Sequence, residues 1–300
     1  MIGYLKNNEI DRDQWDNCIK KTHRAKPYAY SWFLDIMAPG WEALVDDDYN
    51  SVFPIPSYRK FGVQYVSTPI FLQQLGAFSP DKPGSAALVE FLDFFPEFYK
   101  LIDLCVGQEA EYRGFKFTQR DNLELDLTKH YESLCGNFSA DCMRNIESSH
   151  KKKPELTIDI GADELIDLYV NDKENTIDKV KTADLQRLKN LMNFCIKNKK
   201  GKIFGVRAAH KRLIFGLFLI ETHGNKTMLL IASSPEANRK HLGYYVINEI
   251  IRTYSTTRTT LDFARTSVPF VDSFLESFGC TDAPYFRIYR NRLFWPARIL

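Results

Sequence analysis

A short polar turn between a strand and a helix carries the first residues that could do chemistry. The strand candidate ends near Asp262, and Arg265 and Ser267 follow it before an apolar helical stripe that ends at Gly279. A carboxylate, a cation and a hydroxyl at the carboxyl end of a strand, facing a helix N-terminus, are a common ligand-binding arrangement in α/β sheets. The alternative is an ordinary connection in which these side chains only cap the turn.

Two adjacent amides in the first half could bind a polar substrate. Gln73 and Gln74 stand beside a glycine at the end of a predicted β-meander, and Tyr58 and Lys60 add an aromatic and basic edge in the preceding turn. Amide groups offer both donors and acceptors without net charge. The alternative is an amide ladder that only bonds neighbouring backbone.

A cationic loop in the second half suits a phosphate group. The loop, predicted over 233–241, precedes a predicted helix over 242–254, where backbone N–H groups and the helix dipole favour anions. The candidate ligand-binding residues of the loop and the helix start are Ser233, Ser234, Arg239, Lys240 and Gly243. A capped helix with a cationic surface is the alternative.

Composition excludes several classes of protein. The chain has 300 residues, 44% of them hydrophobic, with 40 basic and 38 acidic residues and a formal net charge of +2. These values indicate a folded protein of two domains, without a global field for nucleic acid or membranes. The six cysteines lack Cys-x-x-Cys or zinc-finger spacing, so we expect reduced thiols in the cytoplasm. No signal peptide and no run of about 18 apolar residues occurs, so no membrane span is predicted.

Three consecutive aspartates, Asp46–Asp48, do not predict a metal site. Consecutive residues in a turn cannot all face one ion, and no EF-hand spacing follows them. We therefore expect no bound metal.

The order of predicted elements repeats in the two halves of the chain. Each half has two helices, a strand meander, a further helix and a buried strand, which predicts a mixed α/β fold made by tandem duplication. A predicted helix over 130–153 ends in a basic run just before Pro154. We place the domain boundary there, with domains at 1–153 and 154–300.

Several segments resemble the Fem-like branch of the GNAT acyltransferases. From Leu261 to Arg292, the chain shows a strand ending in Asp-Phe, a polar turn, a helix, a Phe-Gly pair and a final strand. The N-terminal matches are Ser31–Asp35, Val52–Pro56 and Pro69–Gly76. The resemblance covers nearly the whole chain and implies two tandem GNAT-like domains, each with a mixed-sheet α/β fold.

The resemblance also implies an acyl donor. GNAT enzymes bind acyl-CoA, such as acetyl-CoA, through its pyrophosphate at the turn between a central strand and the next helix, which corresponds here to 233–243. The family signature has Gln or Arg, two residues, Gly, one residue, and then Gly or Ala. Lys240, Gly243 and Tyr245 occupy these positions, and only the middle glycine matches. A tyrosine at the last position would obstruct close approach of the backbone.

The resemblance to Fem-like enzymes implies a different acyl donor. They transfer aminoacyl groups from charged tRNA to peptidoglycan precursors, often with a coiled-coil arm in the second domain. No sustained heptad occurs in this sequence, and the predicted helix over 182–198 is too short for such an arm.

Acyl transfer to an amine needs a base for the ammonium proton, a donor to the leaving group and donors to the oxyanion. Asp262 could orient the amine, Ser267 or Tyr285 could donate a proton, and Glu221, with His223 nearby, could act as the base. In the alternative, Asp262 caps the turn and Tyr285 belongs to the core. No Ser-His-Asp order indicates covalent catalysis.

Three functions follow from the resemblance. The first is N-acyl transfer from acyl-CoA to a small-molecule or peptide-like amine, with the segment around Gln73 and Gln74 lining the acceptor cleft. The second is transfer from charged tRNA to a peptidoglycan precursor. The third is a degenerate acyltransferase that only binds a ligand or partner. Binding of CoA distinguishes the first from the other two.

Overall fold

The computed structural model describes residues 1–23, 25–46, 48–171, 180–264 and 274–293. The chain divides into two compact units, a first unit of Met1–Asp121 with Pro284–Leu300 and a second unit of Asn122–Ala283. The predicted boundary between residues 153 and 154 therefore lies inside the second unit, and the end of the chain belongs to the first.

The helices and strands follow one another in three stretches. The first unit contains, in order, β1 (Ile2–Leu5), α1 (Arg12–Lys21), α2 (Ser31–Met37), β2 (Glu42–Asp46), β3 (Val52–Ile55), β4 (Ser57–Lys60), β5 (Val63–Ser67), α3 (Gly84–Asp93), β6 (Leu101–Val106) and β7 (Lys116–Arg120). The second unit contains β8 (Leu123–Asp126), α4 (Tyr131–Cys135), α5 (Ala140–His150), β9 (Leu156–Thr157), α6 (Ala162–Asn171), α7 (Thr182–Lys197), β10 (Gly201–Arg207), β11 (Leu213–Thr222), β12 (Asn225–Ser233), α8 (Pro235–Arg239), α9 (Leu242–Tyr254), β13 (Thr260–Asp262) and β14 (Thr281–Asp282). The chain then returns to the first unit with β15 (Tyr285–Asn291).

Two sheets form the first unit. Strands β1, β2 and β3 make an antiparallel sheet, and the second sheet has the order β4-β5-β6-β15-β7. Strand β15 lies between β6 and β7 and is antiparallel to both, whereas β5 and β6 run parallel. Residues of β6 alternate between buried and half-buried, and so do those of β15 from Phe286 onward. One face of this sheet therefore belongs to the core.

A seven-stranded sheet of order β14-β8-β13-β12-β11-β10-β9 forms the centre of the second unit. Helix α9 contributes an apolar stripe to the same core cluster as the sheet. Its residues Leu242, Val246, Ile247, Ile250 and Ile251 are at most 1% exposed. This packing fixes the position of the α9 N-terminus relative to the end of β12.

Pairing between distant strands explains why the boundary differs from the prediction. Strand β8 pairs with β13 and β14, and α5 packs against α9, so residues 122–153 complete the second unit. Strand β15 instead supplies the partner that joins β6 to β7 in the first unit. A change of composition at Pro154 does not reveal such long-range pairing.

The helix predicted over 130–153 is interrupted. Helix α4 ends at Cys135, and Ser139 begins α5 by accepting a hydrogen bond from the Cys142 N–H at 3.1 Å. A serine at this N-cap position satisfies one of the unpaired N–H groups of the first turn. The loop predicted over 233–241 is also more ordered than expected, since it contains α8.

Candidate active site

Strands β12 and β13, parallel neighbours in the second unit, pair over only three residues. Their pairing runs from Asn225 opposite Thr260 to Thr227 opposite Asp262. After Asp262, the next backbone N–H donates to the carbonyl of Leu123 in β8 at 3.1 Å. Among the described residues, none bonds to the backbone of residues 228–232 from the β13 side. In the described residues the pairing of the two strands ends at Thr227 and Asp262, and the backbone edge of residues 228–232 on the β13 side is called here the strand opening.

A β-bulge lies in β12 beside the strand opening. Phe218 and Leu219 of β11 stand opposite Leu230 and Met228, so Leu229 is the extra residue. A bulge disrupts the regular ladder and redirects the backbone locally. Backbone N–H groups on this side of β12 can therefore donate to a bound carbonyl, which is the chemistry that stabilises an oxyanion.

Asp262 stands at the point where the two strands part, and it is fully buried. Its Oδ1 accepts hydrogen bonds from the Asn122 Nδ2 and from the Ala264 N–H, both at 2.9 Å. The carboxylate thus ties the end of β13 to the residue before β8. Sequence reasoning missed Asn122, because it lies 140 positions from its partner.

Both serines at the end of β12 are buried and hydrogen-bonded. The Ser234 Oγ accepts from the Ala237 N–H at 3.2 Å and caps α8. The Ser233 hydroxyl donates to the Asn238 Oδ1 at 2.5 Å. These contacts agree with the alternative prediction of a capped helix.

Gly243 lies in the first turn of α9, and aromatic rings cover its Cα. A Cβ at this position would lie 3.1 Å from Phe274 and 3.4 Å from Phe215. Tyr244 packs edge-to-face on Phe274 with ring centroids 4.6 Å apart, and Tyr245 is only 8% exposed. The glycine therefore permits close packing of the helix, and its Cα face is not open to a pyrophosphate.

The Lys240 ammonium group is paired with a carboxylate. Its Nζ lies 2.8 Å from the Glu236 Oε1, and an Arg212 nitrogen lies 2.7 Å from the Glu236 Oε2. The hydrogen bond from Lys240 is the main cause that holds the pKa of Glu236 below its usual value. Lys240 is thus partly neutralised before any ligand binds.

Basic side chains nevertheless gather where α5 ends and α9 begins. The Lys152 Nζ donates to the carbonyl of Arg239 at 3.3 Å, and His241 adopts a left-handed backbone conformation with φ 56°. Burial, and then the charge of Lys152, lower the pKa of His241. This surface is called here the cationic corner, and it consists of Lys151, Lys152, Lys153, Arg239 and His241.

Glu221 lies at the opposite end of β12 from the serines. It pairs with Lys226, which is seven residues from Ser233, or roughly 23 Å along a strand. Its carboxylate oxygens lie 2.6 Å from the Lys226 Nζ, 3.1 Å from the Lys202 Nζ and 2.8 Å from the Tyr254 hydroxyl. Burial would raise the pKa of Glu221, but these donors outweigh it and lower the pKa. The structure does not bring Glu221 to the loop at 233–243.

The predicted amide pair lies in the first unit, beside the end of β6. Leu75 forms a parallel bridge with Val106, and the Gln74 Nε2 donates to the Gln73 Oε1 at 3.3 Å. A Cβ on Gly107 would lie 2.6 Å from the Gln74 Oε1, so the glycine makes room for this amide.

A third glutamine in the same place was not predicted. The Gln108 side chain accepts from the Ala77 N–H at 3.3 Å and donates to the Ala77 carbonyl at 3.0 Å. A Cβ on Gly76, whose φ is 135°, would clash with this amide. The glycines on both sides of the amide cluster were the sequence signal that could have identified Gln108.

The other predicted residues of the first unit lie on two strands, Tyr58 and Lys60 on β4 and Tyr285 on β15. Tyr58 stacks on Tyr65 with centroids 5.6 Å apart, and the Lys60 Nζ lies 5.4 Å from the ring centroid of Phe61. Tyr285 begins β15, is 8% exposed, and therefore belongs to the first unit and not to the second.

Two predicted residues, Arg265 and Ser267, lie outside the described residues. In the described part of the chain, no group of three or more His, Cys, Asp or Glu side chains could hold a metal ion. Among the same residues, no helix is both long enough and apolar enough to cross a membrane.

No protein-family model matches the chain, and no curated protein sequence matches it significantly. Solved structures do match it. FemX aligns with a TM-score of 0.67 and 13% identity, over 95% of this chain and 96% of that chain. L-PGS from Bacillus licheniformis aligns with a TM-score of 0.55 and 12% identity, over 96% and 95% of the two chains.

A third similar structure is the C-terminal domain of a protein assigned as a lysylphosphatidylglycerol synthetase, from Agrobacterium fabrum. It aligns with a TM-score of 0.58 and 10% identity, over 93% of this chain and 91% of that chain. These alignments extend over both units. The chain therefore shares its mixed α/β fold with these three solved structures.

Proposed function

We propose that the protein transfers an acyl group to an amine, and that the acyl donor lies in the strand opening of the second unit. The observation that carries this proposal is the early separation of β12 from β13 beside the bulge at Leu229. An extended donor can lie along an unpaired strand edge and use its backbone groups. The Fem-like fold supports the same reaction class.

In the proposed reaction, the amine nitrogen attacks the acyl carbonyl carbon. A C–N bond forms, the bond to the leaving oxygen or sulfur breaks, and the ammonium proton passes to a base. N–H groups of residues 228–232 would stabilise the oxyanion. The contacts of Asp262 and Glu221 suit holding strands together more than accepting this proton, and we keep Ser267 as the proposed donor to the leaving group.

The contacts at the start of α9 favour an aminoacyl-tRNA over acyl-CoA as the donor. Phe274 and Phe215 cover the Cα of Gly243, and Glu236 already pairs with Lys240, so the pyrophosphate-binding features expected of a GNAT enzyme are occupied. The cationic corner, in contrast, offers several ammonium and guanidinium groups on the surface. Such a surface suits the phosphates of a nucleic acid backbone. Acetyl-CoA or another acyl-CoA remains the alternative donor.

The first unit would bind the acceptor. We propose that Gln73 and Gln74 hydrogen-bond an amine-bearing, peptide-like acceptor, and that Tyr58 and Lys60 extend this contact. A peptidoglycan precursor fits this description.

Two binding experiments test the donor. Isothermal titration with CoA and acetyl-CoA should give no saturable binding below millimolar concentration, and aminoacyl-tRNA should bind with a strong salt dependence. Arg239→Ala together with Lys152→Ala should weaken tRNA binding about fivefold or more at low salt, since two phosphate contacts are lost. Lys197→Ala, which removes an exposed lysine at the end of α7, is the matched control and should change little.

The opposite results would support a different donor or a protein without transferase activity. Micromolar CoA binding that is weakened by Lys240→Ala would restore acyl-CoA as the donor. Failure of the folded protein to bind either donor, or to form an N-acyl product detectable by mass spectrometry, would leave the third function, a degenerate acyltransferase that only binds a ligand or partner.

A further inference from the structure

A buried guanidinium in the first unit has no hydrogen-bond partner among the described residues for two of its nitrogens. Arg290, in β15, is 8% exposed, and its Nε and one terminal nitrogen are buried and unpaired. These two nitrogens form the edge with which arginine binds an oxyanion through two parallel hydrogen bonds. Burial of a charge without such a partner is strongly unfavourable, so a native arginine in this position calls for a counter-ion.

Aromatic rings enclose this guanidinium. Its central carbon lies 4.6 Å from the ring centroid of Phe115 and 6.0 Å from that of Phe95. Contacts of this kind with aromatic rings do not use the N–H groups at the edge of the guanidinium. The Tyr112 hydroxyl, which also acts on Arg290, donates to Asp93 at 2.5 Å.

A second arginine lies beside the first and has no carboxylate partner in the part of the chain that the structure describes. Arg292 follows two positions later, and its N–H continues the strand pairing by donating to the Lys100 carbonyl at 2.7 Å. The alternation of a strand places Arg292 on the same face as Arg290. Glu97 is near enough to act on Arg290 by its charge, but no carboxylate in the described ranges forms an ion pair with either guanidinium. Burial, and then the charge of Arg292, lower the pKa of Arg290 to about 10.

Another arginine of the same strand has a carboxylate partner. Arg287, on the opposite face of β15, places its Nε and a terminal nitrogen 2.5 and 2.7 Å from the two carboxylate oxygens of Asp103. The equivalent edge of Arg290 has no carboxylate partner among the described residues. Of these two arginines of β15, therefore, only Arg290 has an unpaired edge.

We propose that Arg290 and Arg292 bind a phosphate group, either as a free ion or as part of a phosphorylated ligand. Two adjacent positive charges that form no ion pair with a carboxylate in the described ranges match a dianion better than a single carboxylate. The Nε edge of Arg290 would bind two phosphate oxygens, and Arg292 would contact a third from the more exposed side. This site belongs to the first unit and does not depend on the acyl donor proposed for the second.

Binding of inorganic phosphate to the full-length protein tests this proposal. Titration calorimetry and thermal unfolding are run in phosphate and in chloride at equal ionic strength, because phosphate also stabilises proteins without specific binding. At a hundredfold excess over Kd, we expect the Tm of the native protein to rise by roughly 5 °C or more. Glucose 6-phosphate, as a phosphomonoester probe, distinguishes a phosphorylated ligand from the free ion, and acetate tests for a carboxylate.

Three variants make the outcome decisive. Arg290→Met should abolish the phosphate response while its Tm in chloride stays equal or rises, because the variant removes a buried unpaired charge. Arg292→Gln should fold normally and bind phosphate about tenfold more weakly, since one charged hydrogen bond is lost. Arg287→Gln, the matched control, should keep the phosphate response even if its Tm falls.

Several results would overturn the proposal. One is the absence of saturable binding at phosphate concentrations below about 10 mM, because a Kd above that value is too weak for a dedicated phosphate site. Another is an equal phosphate response in the native protein and Arg290→Met. A third is a large loss of Tm for Arg290→Met in chloride, which would mean that Arg290 has a partner within the chain. Acetate binding as tightly as phosphate would assign a carboxylate ligand instead.

Discussion

Replacement of Asp262 separates a structural role from a catalytic one. The buried carboxylate accepts hydrogen bonds from the Asn122 Nδ2 and the Ala264 N–H, both at 2.9 Å. Asp262→Ala leaves both donors buried without an acceptor. Asp262→Asn keeps the volume and one oxygen, so it preserves part of this network.

The contacts allow the magnitude to be worked out. Hydrogen bonds to a charged acceptor contribute about 1.5–3 kcal/mol each, and relief from burying the carboxylate offsets part of the loss. We therefore expect the free energy of unfolding to fall by about 3 kcal/mol for Asp262→Ala and by about 1 kcal/mol for Asp262→Asn. For a unit of this size, about 3 kcal/mol lowers Tm by roughly 6–12 °C.

Urea unfolding followed by circular dichroism and thermal unfolding measure these changes. Asp163→Asn is the matched control, because the Asp163 side chain is 71% exposed and pairs only with Lys189. Its effect should stay below about 0.5 kcal/mol. Equal stability losses for Asp262→Ala and Asp163→Asn would refute the structural assignment. Loss of acyl transfer in Asp262→Asn with unchanged unfolding would make Asp262 a catalytic residue.

Three further predictions concern the second unit. Because the pKa of Glu221 is lowered in the folded state, its contribution to stability is present above the ordinary pKa of 4.5 and is lost as the pH falls below it. The difference in Tm between the native protein and Glu221→Gln should therefore shrink below pH 4.5, and a constant difference down to pH 3 would contradict this assignment. Ser234→Ala removes the α8 cap and should cost about 1 kcal/mol in urea unfolding, whereas an effect near zero would mean that the cap is dispensable. Gly205→Ala places a Cβ 2.5 Å from the backbone oxygen of Phe215. It should cost about 2–3 kcal/mol, and an unchanged Tm would show that the two strands move apart easily.

Local signals predicted most of the individual elements. An aspartate just before a helical pattern predicts an N-cap, and the Asp11 side chain does accept from the N–H groups of Asp13 and Gln14. The helix predicted over 242–254 has the bounds observed for α9. Capping and helical periodicity depend on residues a few positions apart, so a single sequence contains them.

Pairing between distant segments was not predictable in the same way. The sequence placed β15 in the second domain because it follows β13 and β14, yet its hydrogen-bond partners are β6 and β7. The break between α4 and α5 was missed because the cap at Ser139 lies inside a stretch that reads as continuously helical. No local sequence pattern predicts the pairing of β15 or the break between α4 and α5.

The sequence predicted the strand-to-helix connection at 233–243 but not the contacts within it. The loop at 233–243 does join a central strand to a helix, as the resemblance implied. The contacts that decide its chemistry, such as Phe274 over Gly243, depend on side chains brought together by the fold. Leu229 has no sequence signature as a bulge, because the register of β12 against β11 determines which residue is extra.

The position of β15 has a consequence for the order of events during synthesis. The second unit is one continuous stretch, whereas the first unit lacks the strand between β6 and β7 until β15, which follows the whole second unit, has been synthesised. Domains usually fold from the N-terminus as they emerge. Here the segment that emerges first is the last to be completed, and its open sheet edges stay exposed to other chains in the meantime. Premature termination just before β15 would therefore leave a complete second unit attached to an aggregation-prone first one.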